Sequence, residues 1–380
     1  MGPGLIFDKS AFQALGPEEH AAVRSLFTVG LPPILTHEIL ADLAKLTRDR
    51  PGEQLVTMLA RKFAGSTPMV VVNYAEVARE SLLGKEPPLT GQLLIGHAES
   101  VATSFGPGAV VDFHPINEAI ERWRAGRFGD DERVFAERWR SRTDLSLSKF
   151  KRHLLRGGVI LRRALNDEDA RAAAVEELKR RSIQHVLHAW LMDALRLTPS
   201  QTTLARARLR ESSGFILDAA PYAAFCLGVF LLYEILVRSK LVPQRETDGF
   251  DLRYLCHQPT SVVLVSGDRL HRRIGPLVAR HPVNFVSLDD FRADLGALRS
   301  KDSGTPGMNF PLNVLAAHLA KVPASPIARA WVEVGWDPHR PPSPPESPES
   351  ARRREVMTKE LLAQFREAQA ARSPLTSPKR

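Results

Sequence analysis

Sulfur is scarce in this chain. Its 380 residues include two cysteines, Cys226 and Cys256, too few for a disulfide framework or a thiolate zinc site, so a reducing, cytoplasmic compartment is expected. Long apolar runs are scarce as well. The most apolar stretch, Gly214 to Val237, has an uncharged span of 15 residues from Ala219 to Tyr233, short of the roughly 20 that cross a bilayer. It reads as a buried core helix, and no membrane partner is expected. Met1 to Phe7 lacks a basic leader, and Asp8 and Lys9 interrupt the first apolar run, so no export signal is expected. There is no Gly-rich phosphate loop, no G-x-S-x-G elbow and no internal repeat, which removes the usual sequence marks of nucleotide cradling, serine hydrolysis and solenoids.

What is abundant is positive charge. Lys plus Arg number 52 against 43 Asp plus Glu, a net charge of +9, and a basic surplus points to polyanionic partners. The surplus is segregated. Residues 118–210 hold 21 basic against 13 acidic residues, and residues 338–380 hold 9 against 5, so the other 244 residues are slightly acidic, at −3.

The first segment alternates apolar runs with helical patterns, an α/β opening. GLIFD at 4–8 reads as a strand, and a helical pattern follows from Ala11 to Phe27. Pro32 to Leu35 reads as a second strand, with Thr36 capping a helix that carries Ile39, Leu40, Leu43 and Leu46. A helix with Leu55, Met58, Leu59 and Phe63 precedes a strand at Met69 to Val72, and short strands are expected at 92–95 and 109–113. From Ile116 to about Arg210 the pattern is helical and basic. SVVLVS at 261–266 has the β-branched, unalternating character of a buried parallel strand, and a helix at 270–279 and a strand at 284–287 follow. The expected organisation is therefore a split α/β domain, 1–75 and 212–300, around a helical insertion at 76–211. An extension at 301–337 and a Pro-rich linker with a charged tail at 338–380 complete it.

Four carboxylates stand where such a fold places chemistry. Asp8 closes the first strand, Glu38 lies in ILTHEIL, Asp251 in GFDLRYL, and Asp268 follows the apolar strand in VLVSGDRLHRR. Sites in parallel sheets form outside the carboxyl ends of strands, and clustered carboxylates suit hard divalent cations such as Mg²⁺ or Mn²⁺. Each acid also has a plain structural explanation: Asp8 and Asp251 as helix N-caps, Glu38 as a first-turn dipole partner, Asp268 as a surface turn.

The segments IFDKSAF, LTHEIL, the Asp251 helix and VLVSGDRLHRR together resemble the PIN domain of metal-dependent ribonucleases, over about 1–75 and 212–300. The resemblance implies a three-layer fold, a mainly parallel central sheet flanked by helices and interrupted here by the large helical insertion. It further implies Asp8, Glu38, Asp251 and Asp268 as catalytic metal ligands for Mg²⁺ or Mn²⁺, with Ser10 and Ser266 in support. The implied activity is endoribonuclease cleavage leaving 5′-phosphate and 3′-hydroxyl ends, as in a toxin or defence effector, with RNA as substrate and an inhibitory protein as a further partner. The second and third acids lie 213 residues apart, far more than in a compact PIN domain. Asp248 competes with Asp251 for the third position, and Asp289 or Asp290 is a candidate additional acid. A non-catalytic PIN-like scaffold and a DNA- or structure-specific nuclease are the alternatives.

Other chemistry-bearing residues read as structural. His185 and His188, three apart in HVLHAW, lack a third ligand nearby. His37, His257 and His271 adjoin the acids in sequence, but the resemblance gives them no role. Trp123, Trp139 and Trp190 lie among the basic helices with apolar neighbours and read as core rather than as base-stacking platforms.

Overall fold

Gly4–Phe7 has no polar alternation, the pattern of a strand covered on both faces, and it forms β1. The chain continues through α1 (Lys9–Ala14), α2 (Pro17–Leu26), β2 (Thr28–Leu31), α3 (Pro33–Leu40), α4 (Gly52–Arg61), β3 (Met69–Val70) and α5 (Tyr74–Leu82). A hairpin, β4 (Ala98–Thr103) and β5 (Gly106–Val111), opens the middle segment. Six helices follow: α6 (Pro115–Arg124), α7 (Asp130–Arg140), α8 (Leu145–Arg156), α9 (Asp167–Lys179), α10 (Gln184–Ala194) and α11 (Pro199–Glu211). Next come α12 (Ile216–Ala219), α13 (Pro221–Arg238), α14 (Asp248–Leu255), β6 (Val263–Ser266), α15 (Arg269–Val278), β7 (Phe285–Ser287), α16 (Leu288–Arg299), α17 (Leu312–Lys321) and α18 (Pro326–Glu333). This computed structural model describes residues 2–45, 51–63, 69–88, 93–96, 98–103, 106–111, 115–140, 145–281, 283–299 and 312–337, and four isolated positions between 349 and 359. Apart from those four positions, the expected Pro-rich linker and charged tail at 338–380 lie outside the described residues.

Five strands form one all-parallel sheet in the order β3-β2-β1-β6-β7. Leu5, Ile6 and Phe7 pair with Val263, Leu264 and Val265, so strands 258 residues apart in the sequence lie side by side at the sheet's centre. Successive side chains of a strand point to opposite faces. All of these are at most 1 % exposed, hence both faces are covered, as in a three-layer α/β arrangement. The chain winds outward from β1 to β3 on one side and from β6 to β7 on the other. The reversal between β1 and β6 is the topological switch point, where neighbouring connections leave in opposite directions and open a crevice at the strands' carboxyl ends.

Among the described residues, the helical segment shares its core with the sheet. One continuous apolar cluster includes Leu5 and Val265 of the sheet together with Ile120, Phe150 and Trp190. The link is α13, which by length and composition is apolar enough to cross a membrane, yet 72 % of it is buried inside the fold. It packs against α5, α9, α10 and α14, with Trp190 against Phe230 at 5.3 Å between ring centroids. Trp123 and Trp190 are core residues.

Several expected boundaries move. Pro32 to Leu35 is not a strand: two consecutive prolines lack the N–H groups a ladder needs, and Pro33 instead occupies the first turn of α3, where that N–H is not required. The strand is Thr28–Leu31 immediately before. Thr36 consequently lies inside α3 and donates to the Pro33 carbonyl at 2.7 Å rather than capping, and Glu38 falls in the helix's second half. The helical stretch from Ala11 to Phe27 breaks at Leu15 and Gly16, Pro17 starting α2. Of the expected strand at 92–95, Ile95 forms only a bridge to Val71, and the hairpin occupies 98–111.

Candidate active site at the switch point

Asp8 follows β1 directly and Asp268 follows β6 by two residues, so the sheet register brings their backbones to the same crevice. The Asp8 N–H donates to the Val265 carbonyl at 3.1 Å. Its side chain caps α1, accepting from the Ala11 N–H at 2.7 Å. Ser10 Oγ sits 2.9 Å from both carboxylate oxygens, and Ser266 Oγ donates to Oδ2 at 2.5 Å. Asp268 caps α15, its Oδ1 accepting from the Leu270 and His271 N–H groups. Gly267 N–H donates to Ser10 Oγ and Asp268 N–H to Ser266 Oγ, both at 3.0 Å. The two serines thus tie the two strand ends together. As helix caps, Asp8 and Asp268 keep a structural role inside the same crevice.

His271 is the hub that sequence reasoning passed over. Its Nε2 donates to the Asp251 carbonyl at 2.7 Å, while Nδ1 lies 2.8 Å from Ser266 Oγ and 3.3 Å from Asp8 Oδ2. Both ring nitrogens face acceptors, which favours the doubly protonated ring. Burial opposes that charge, but the hydrogen bond and charge of Asp8, with the charge and carbonyl of Asp251, outweigh it and raise the His271 pKa to about 9. Burial likewise opposes the Asp8 carboxylate. The hydrogen bond and charge of His271, then Ser266 and the Ala11 N–H, hold its pKa below the ordinary value. The result is a buried ion pair with its hydrogen-bonding capacity filled.

Glu38 and Asp251 complete the acidic surroundings. Tyr254, on α14, donates to Glu38 Oε2 at 2.6 Å, and its ring stands edge-on to His271 at 5.7 Å. Burial raises the Glu38 pKa; the Tyr254 hydrogen bond and Lys9 pull it down, and Asp8 pushes it up. Lys9 Nζ donates to the Glu38 carbonyl and pairs with buried Asp42 at 2.7 Å. Asp251 is pushed up to about 7, first by burial, with Asp268, Glu38 and Asp248 adding repulsion against the attraction of His271. These mutual effects make the four predicted acids electrostatic neighbours drawn from four separate segments.

The competing acids are spoken for elsewhere. Asp248 is buried and accepts from the Tyr233 hydroxyl at 2.6 Å and the Arg245 N–H. Asp289 lies 3.4 Å from exposed Arg272, and Asp290 accepts from the Ser287 hydroxyl. His37 joins Phe135 and Trp139 in a half-buried aromatic group that brings α7 onto α3.

The donor chemistry of the crevice, carboxylate and hydroxyl oxygens, fits a hard divalent cation. It is not a preformed cage: among the described residues no three His, Cys, Asp or Glu side chains are grouped, as they stand, to hold an ion. Tyr254 could not be read as a partner of Glu38 because the two are 216 residues apart. His271, three residues after Asp268 and therefore one helical turn on, carried the only sequence cue.

Comparison with models of protein families, with curated proteins and with solved structures finds no match for the chain.

Proposed function

We propose that the chain is a PIN-like, metal-dependent endoribonuclease with its active site at the β1–β6 switch point. The observation that carries this reading is the meeting of Asp8 and Asp268 at the ends of adjacent parallel strands, with Glu38 and Asp251 as electrostatic neighbours. Asp251 and Asp268, with Glu38 and Asp8, would hold Mg²⁺ or Mn²⁺. Such ions lower the pKa of bound water and stabilise charge on the attacking and leaving oxygens of a phosphodiester. The protein's own residues act before that. Ser10, Ser266, His271 and the Ala11 N–H orient the Asp8 carboxylate, and Tyr254 orients Glu38. Asp251, pushed up to about 7, is partly protonated at neutral pH, and positive charge in the crevice would favour its ionised form.

Carboxylates alone repel a phosphate backbone, so capture falls to the basic helical segment, which carries +8 over residues 118–210. The direct test is cleavage of mixed RNA by purified protein with Mn²⁺. Loss of cleavage in both D251N and D268N supports the assignment, and undiminished cleavage in both overturns it. A second reading, a non-catalytic RNA-binding scaffold, is favoured by one observation: His271 and Lys9 already balance part of the acidic charge. It predicts RNA binding without metal-dependent turnover.

A further inference from the structure

The helical segment contains a second charged site, remote in sequence from the acids. Between α10, α11 and the loop after α11 lies an open cavity of about 400 Å³, lined among others by Arg181, His185, His188, Arg206, Arg210 and Ser213. No Asp or Glu lines it. Arg206 and Arg210 are four apart on α11 and so share a face, while His185 and His188 are three apart on α10, with Arg181 in the 3₁₀ turn just before.

Some arginines of this segment are matched with acids: Arg122 with Glu132, Arg162 with Asp169, Arg180 with Glu177. The three cavity arginines have no such partner among the described residues, Arg181 lying instead 5.9 Å over the Phe215 ring. His188 Nε2 is a buried atom with no hydrogen-bond partner among the described residues. Burial, then His185, lowers the His188 pKa to about 4, so that ring is neutral at pH 7, while the arginines keep their charge. Unspent guanidinium forks around a cavity without carboxylates match the chemistry of phosphate, which they bind in bidentate fashion. The volume lies in the range of small-ligand sites.

We propose that this cavity is a phosphate-binding site that holds one phosphate group of an RNA strand, either a backbone diester or a terminal monoester. The proposal rests on the reading of the chain as RNA-acting, but it requires neither metal nor cleavage.

The test is binding of a fluorescent single-stranded RNA to the full chain by anisotropy, in EDTA and over a series of salt concentrations. R206Q/R210Q should bind about tenfold more weakly at low salt, with a log K against log salt slope shallower by about 1, the share of a phosphate contact. R206K/R210K should regain the slope, because charge is kept. The charge-matched pair R152Q/R163Q, at exposed positions outside the cavity, should lose distinctly less. A loss seen equally with 5′-hydroxyl and 5′-phosphate strands assigns a diester; a loss confined to the 5′-phosphate strand assigns a monoester. The proposal is overturned if the wild-type chain binds no RNA, if R206Q/R210Q matches it, or if both double variants lose equally. Failure of the nuclease reading is seen separately: cavity-dependent binding in EDTA with no cleavage in Mn²⁺ removes catalysis and leaves this site standing.

Discussion

The substitution D251N should stabilise the fold while abolishing its proposed chemistry. The folded pKa of Asp251, about 7, lies above the ordinary 3.8, chiefly through burial and then through Asp268, Glu38 and Asp248. The folded state therefore holds this proton more tightly than the unfolded chain does. Below about pH 4 both states carry the proton and the group is silent. From pH 4 to 7 only the unfolded chain releases it, so stability falls; above pH 7 both are ionised and the penalty is constant. Three pH units at about 1.4 kcal/mol each give a penalty on the order of 4 kcal/mol at pH 8. Asparagine has no charge to bury, and the His271 contact on this residue is to the backbone carbonyl, so it survives the change. In EDTA, D251N should melt higher than wild type by on the order of 5 °C at pH 8, with the gap closing toward pH 4. Mn²⁺ should then raise the melting temperature of wild type more than that of D251N. A D251N protein less stable than wild type at pH 8, or a gap independent of pH, would refute the placement of this carboxylate among the other acids.

Three further outcomes follow from the same geometry. His271 has its pKa raised from 6.5 to about 9, so its pairing contributes fully below pH 6.5 and is lost as the pH rises through 9, about 3 kcal/mol in all; H271N should flatten that limb of the denaturation profile and lower stability at pH 6 by roughly 3 kcal/mol, since Asp8 loses its buried partner. Asp294 on α16 accepts from His318 Nε2 at 2.6 Å, Ser325 Oγ at 2.7 Å and the Ile327 N–H at 3.0 Å; D294A should cost about 3 kcal/mol in urea denaturation, and an unchanged midpoint would show that α17 and α18 do not depend on it. A methyl group at Gly275 of α15 would collide with the Phe285 ring of β7, so G275A should cost about 1–3 kcal/mol by the same measurement, an unchanged midpoint arguing against that close approach.

The legible parts of this fold were those whose cause is local. β6 is a short β-branched run that can only be buried, and α13 is apolar around its whole circumference, so neither needs its neighbours to be recognised. Asp8 and Asp268 were legible for a related reason: an acid at the end of an apolar strand stands out against the run before it. α3 was misread because Ile34 and Leu35 look like strand residues until Pro33 is seen as a helix start, and that shift moved Glu38 from a first turn to the second half of its helix. What escaped entirely depends on distant pairing. Tyr254 meets Glu38, and His271 meets Asp8, only after the sheet has joined strands far apart in the sequence.

That joining also sets how the repulsion among these acids is met. Asp8, the most buried of the four acids, is matched by His271, and Asp42 beneath the site by Lys9 and Lys45. Glu38 and Asp251, which lack a full counter-charge, are the two whose pKa values rise. The protein thus meets the repulsion in two ways: it pairs Asp8 and Asp42 with cationic side chains, and burial biases Glu38 and Asp251 toward their protonated forms. A divalent cation entering the crevice should therefore gain least from Asp8, whose oxygens are already occupied by Ser10, Ser266, His271 and the Ala11 N–H.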